Sequence, residues 1–179
     1  VLFYTRENFD DFYYGKGSTY PDAQGSIGIL FEQASSRGTM QDTENGLLTF
    51  PYSIRNQVFA SLSTLKAVGE MRVELNEYLR DFYKSALDEA RKSEVKGYVF
   101  ADDGLPARVF LELLGRHNIQ VHNLQEDANL HGQTHVDAQT FQANRAFYVP
   151  TEQPQYRLIR GIFERTTQFQ DSIFYDISA

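Results

Sequence analysis

From Ile54 to Ala86 the apolar residues Ile54, Val58, Leu62, Leu65, Val68, Met71, Leu75, Leu79, Phe82 and Ala86 return at intervals of three and four. That spacing gathers them into one stripe along a helix. Pro51 stands where such a helix can begin, because the first turn needs no amide donor from it. The pattern runs to about Lys92, and at 1.5 Å per residue the helix would extend about 60 Å, more than one small domain needs. A break or kink is therefore expected near Gly69, with one unit ending before it and a second following. The methionine and aromatic members of the stripe are expected to be core.

Ahead of this helix lies Gly25-Ser26-Ile27-Gly28-Ile29-Leu30-Phe31-Glu32-Gln33-Ala34-Ser35-Ser36-Arg37-Gly38, an almost unbroken apolar run that ends in a single carboxylate. Periodicity alone leaves a buried helix open, but the short length favours a strand covered on both faces. A carboxylate delivered to a loop from such a strand is suited to proton transfer, so Glu32 is a candidate general base. The plainer alternative is that Glu32 only marks the exit of the strand into water. Residues 35–49 are polar and read as a loop.

Three pieces taken in order resemble a known family. Tyr13-Tyr14-Gly15-Lys16-Gly17-Ser18-Thr19-Tyr20-Pro21-Asp22, Gly28-Ile29-Leu30-Phe31-Glu32-Gln33-Ala34 and Gly46-Leu47-Leu48-Thr49-Phe50-Pro51 are similar to the C-terminal third of the carboxypeptidase A type of zinc metallopeptidase. In that family a loop tyrosine precedes a buried strand, the strand ends at the catalytic glutamate, and a Gly-to-Pro stretch leads into the final helix of the catalytic domain. The resemblance implies that Glu32 takes a proton from a zinc-bound water and returns it to the leaving amine. It also implies that Tyr13 or Tyr14 closes over the C-terminal residue of a peptide substrate. The interval to Glu32 is shorter than in the digestive enzymes, and packing beside a glycine-rich loop is the alternative for either tyrosine.

The family binds zinc through a His-x-x-Glu pair and a later histidine, upstream of the matched region. His-x-x-Glu does not occur at His117, His122, His131 or His135, and the chain opens on Val1. The expectation is a segment of a longer zinc carboxypeptidase-like protein, extracytoplasmic by the same resemblance. Zinc would belong to the full-length protein and none to this segment, which would be inert alone.

Composition narrows the other classes. With 17 basic and 24 acidic residues the net charge is −7, which argues against nucleic acid. Arg157, Arg160 and Arg165 read as a solvated helix face. The absence of cysteine removes disulfides, thiolate metal sites and a cysteine nucleophile. No apolar run approaches the roughly 20 residues that span a bilayer, so no membrane partner is expected. The glycines of Gly15-Lys16-Gly17-Ser18 lack the spacing of a phosphate-binding loop.

From Lys96 a second unit is expected. Gly97 to Ala101 reads as a strand, Asp102-Asp103-Gly104 as a turn, Pro106 to Leu114 as a helix, and Ile119 to His122 as a second strand, which together make a βαβ unit with a parallel sheet. Ala146 to Val149 is a third strand candidate, and Gln155 to Gln168 has helical spacing. The fold class is thus α/β, a partial peptidase-domain strand and helix followed by a small parallel-sheet unit. The boundaries fall at 1–68 for the peptidase part, 69–95 for a connecting helix and 96–179 for the second domain. This domain resembles flavodoxin-like and glutamine-amidotransferase-like domains, without the cysteine that amidotransfer requires.

Asp102 and Asp103 lie at a strand end, where open sheets bind ligands, but helix capping is the commoner use of such residues. His131 and His135 have the spacing of two metal ligands on a helix, although Gly132 disfavours the helix. The competing function is a non-catalytic binding or assembly module with its surface near Asp102 and Asp103. Exposed apolar faces on a partial domain would favour association between copies.

Overall fold

A computed structural model of the chain describes residue 15, residues 17–130 and residues 139–164. The expected long helix is present as two, α2 (Phe50–Glu70) and α3 (Arg72–Lys92). Pro51 sits in the first turn of α2, and the Thr49 hydroxyl caps it by accepting the Tyr52 N–H at 3.4 Å. The interruption falls at Met71, two residues after Gly69, where the backbone leaves helical geometry with φ −94° and ψ 16°. Only one part of the stripe is core. Ala86 and Ala90 of α3 are buried against Tyr156, whereas Ile54, Val58, Leu62, Leu65 and Val68 of α2 are 48% to 69% exposed.

A short helix, α1 (Tyr20–Ala23), precedes these, and the hairpin β1 (Met40–Thr43) and β2 (Gly46–Thr49) leads into α2. That hairpin corrects the reading of residues 35–49 as loop. Met40 pairs with Thr49 and Thr43 with Gly46, and Gly46 turns the chain at φ +99°, a conformation that glycine adopts without strain. The side-chain oxygen of Thr43 accepts the Asn45 N–H and its hydroxyl donates to the Gly46 carbonyl, so polar residues build the turn rather than dissolve the strands.

The expected buried strand is a second correction. Residues 27–37 are in no strand or helix, and Ile27, Ile29, Leu30 and Phe31 are about half exposed. A strand must pair its backbone groups, and among the described residues no neighbouring strand takes this segment.

The second half is built on β3 (Gly97–Ala101), α4 (Leu105–Arg116), β4 (His122–Asn123), the hairpin β5 (Ala128–Leu130) and β6 (Gln139–Phe141), β7 (Ala146–Pro150) and α5 (Tyr156–Phe163). The parallel sheet is not formed. The order is β3-β7-β4, and β7 runs antiparallel to both neighbours. β3 and β4 do point the same way across α4, as a βαβ unit requires, but β7 from later in the chain has entered between them. Local pattern anticipates β3 and β7, but the strand expected at Ile119 to His122 meets β4 only at His122, and no local pattern predicts the insertion of β7, which depends on the partner chosen.

Leu114, Ile119, Val149, Leu158 and Ile159 form the core between sheet, α4 and α5. Tyr98 stacks on Phe163 at 4.7 Å and Phe100 meets Phe110 edge-on at 5.1 Å. Each such side chain contributes on the order of 2 kcal/mol by leaving water. α4 ends in a tight reversal at Asn118, φ +56°. There the Ile119 N–H reaches the Leu114 carbonyl and the Asn118 N–H the Gly115 carbonyl, a pairing that satisfies the last helical carbonyls while bringing Ile119 onto Leu114 in the core. Between β7 and α5 the buried Gln153 amide is fully used, donating to the Pro150 and Gln120 carbonyls and accepting the Gln120 N–H. A buried amide so satisfied fixes this connection.

Candidate functional site

Glu32 is exposed, at the end of the apolar segment and immediately before the part of the chain that lies along α2. The next residue, Gln33, accepts a hydrogen bond from the Asn56 side chain at 3.0 Å. From there an open groove of about 660 Å³ runs between residues 33–36 and α2, lined by Ser35, Ser36, Phe50, Ile54, Val58 and Leu62 among others. The Gln33 amide nitrogen is buried beside Asn56 with no partner among the described residues. The hydrocarbon enclosure expected around Glu32 is not there, because the residues preceding it face outward rather than into a core. Tyr13 and Tyr14 lie outside the described residues, as do His131 and His135.

The two aspartates after β3 are occupied by local structure. Asp102 accepts the Gly104 N–H at 3.2 Å and Asp103 the Ala107 N–H at 3.0 Å. Gly104, which follows them, takes φ +88°. The carboxylates close the turn and satisfy a free amide of the first turn of α4, the capping use expected of such residues.

Two constellations had no signal in the sequence. Arg157 of α5 spans α3, with Glu89, Ser85 and the Phe82 carbonyl as partners. It is therefore not part of a solvated basic face, whereas Arg160 pairs with the exposed Glu164 that caps α5. Tyr20 of α1 meets His117, at the end of α4, with 2.8 Å between hydroxyl and Nδ1. A cavity of about 520 Å³ adjoins this pair, lined also by Phe110, Leu113, Leu158 and Ile162. The partners are 97 residues apart, beyond the reach of any periodic pattern.

Among the described residues, no three His, Cys, Asp or Glu side chains come together in a way that could hold a metal ion. No helix of the described residues is long and apolar enough to cross a membrane. Comparison of the chain with protein-family models, with curated proteins and with solved structures finds no match.

Proposed function

We propose that the chain is part of a zinc metallocarboxypeptidase-like hydrolase and that Glu32 is its general base. The observation that carries the reading is the position of this carboxylate. Glu32 is exposed, it follows the apolar residues Ile29, Leu30 and Phe31, and it precedes a segment packed on the uncovered face of α2. Apolar surface of this extent is unusual on a finished domain and suits one that further polypeptide completes. The order of loop tyrosines, apolar run, glutamate and Gly-to-Pro entry into a helix supports the same assignment.

The proposed reaction is hydrolysis of a C-terminal peptide bond, and the contribution of this chain is a carboxylate that accepts a proton and gives it up again. Zinc and its ligands belong to polypeptide outside this chain. The isolated chain is accordingly expected to be inert.

Two measurements on the longer protein test this. Its upstream sequence should contain His-x-x-Glu and a later histidine. Glu32→Gln should abolish turnover of peptide substrates while the zinc content stays that of the unaltered protein. An active Glu32→Gln protein removes Glu32 from the role.

A further inference from the structure

The residues that lead to Glu32 are tied to the C-terminal α/β region by a chain of polar side chains. Gln24 donates its amide to the Tyr20 hydroxyl at 3.2 Å, and that hydroxyl lies in hydrogen-bonding contact with His117 Nδ1, 2.8 Å away. The Gln24 amide nitrogen also lies 3.5 Å from the same imidazole nitrogen. Tyr83 of α3 continues the chain, its hydroxyl lying 3.1 Å from the Gln24 carbonyl and 3.3 Å from the Gln24 side-chain oxygen. Four side chains thus join α3, α1 and α4, and bonds linked in this way reinforce one another.

Packing and local turns complete the attachment. Ala23 rests on the core cluster of Leu114 and Ile159. Gly25, at φ +73°, lies so close to Phe82 that a Cβ there would come within 2.7 Å of the ring. The Asp22 carboxylate then takes the Gly28 N–H at 2.7 Å, which closes the loop just before the apolar run that ends at Glu32.

We infer that the C-terminal α/β region is a positioning platform for the segment bearing Glu32, and that the Tyr20–His117 pair is the latch. The inference rests on the proposed role of Glu32. Tyr20 and His117 are positioning residues, since neither touches the carboxylate. A displacement of about 1 Å at a reacting group is enough to lower a rate by a factor on the order of 100, so a loosened latch should be felt at Glu32.

The test has two arms. In the 179-residue chain, Tyr20→Phe and His117→Leu should speed amide exchange at Gln24, Gly25, Ser26 and Gly28 by about tenfold, with β3 and β7 unchanged. His117→Asn, which keeps a hydrogen-bonding group near the Nδ1 position, should restore protection. In the longer protein the same two variants should lower kcat for peptide hydrolysis about tenfold, with KM and the melting temperature little changed and with recovery in His117→Asn. Unchanged exchange in Tyr20→Phe overturns the latch. Faster exchange with unaltered kinetics overturns its link to Glu32. A longer protein that hydrolyses no peptide overturns the assignment of Glu32 and leaves the exchange result to judge the latch.

Discussion

Arg157 and Glu89 join α5 to α3 through two contacts, Nε to Oε2 at 3.2 Å and Nη2 to Oε1 at 2.5 Å. The guanidinium lies 4.3 Å above the Phe82 ring and also donates to the Phe82 carbonyl. A two-point pairing of this kind is stronger than an ordinary surface ion pair, although solvent reaches both partners. Arg157→Leu should destabilise the protein by about 1–2 kcal/mol, and Arg157→Lys should recover little of it because an ammonium cannot reproduce the fork. A double-mutant cycle with Glu89→Gln in urea should give a coupling of roughly 1 kcal/mol, and additive single effects would refute the pairing.

The same contact makes stability depend on acid. The hydrogen bond from Arg157 is the largest influence on Glu89 and holds its carboxyl below the ordinary 4.5. A carboxyl depressed in the folded state contributes fully above its unfolded value, and the contribution is lost as pH falls through the folded one. Denaturation midpoints should therefore decline below about pH 4.5, and the decline should be shallower in Glu89→Gln. Parallel acid limbs for the two proteins would show that other groups dominate.

Leu114 and Ile159 are fully buried in a cluster that joins the sheet to α4 and α5. Truncating either to alanine should cost about 3 kcal/mol, enough to unfold a marginal domain at 37 °C. Denaturant titration with an aromatic reporter such as Tyr98 checks this. A loss under about 1 kcal/mol would place these side chains outside the core.

Leu62 and Leu65 should behave in the opposite way. Both are more than half exposed on α2, so Leu62→Glu with Leu65→Glu should change stability by no more than about 0.5 kcal/mol per site. The unaltered chain should associate at raised concentration through this apolar face, and the double variant should remain monomeric. Light scattering across a concentration series distinguishes the two, and an unaltered chain that stays monomeric throughout counts against association.

What could be read from the residues alone followed the range of the forces involved. The span of α2 and α3, the proline entry at Pro51, the strand at Gly97–Ala101 and the capping use of Asp103 are local matters, decided by neighbours a few positions away. The order β3-β7-β4 was not legible, because Ala146 to Pro150 carries no mark of which strands it will lie between. Ile27 to Phe31 misled for a related reason: apolar residues suit a buried strand, but a strand also needs a neighbour. At the candidate site, Glu32 stood out by its place after an apolar run. The Tyr20, Gln24, Tyr83 and His117 chain did not, since folding alone brings those four together.

Met71 interrupts the helical span without cutting its ladder. Its N–H still reaches the Ala67 carbonyl at 2.8 Å, and the Leu75 N–H still reaches the Met71 carbonyl at 2.9 Å. A joint of this sort behaves like a stiff lever with a single compliant knuckle. Torque applied by any body seated on α2 would travel along α3 and arrive at Tyr156 through Ala86 and Ala90, so α2 and α5 are mechanically in series.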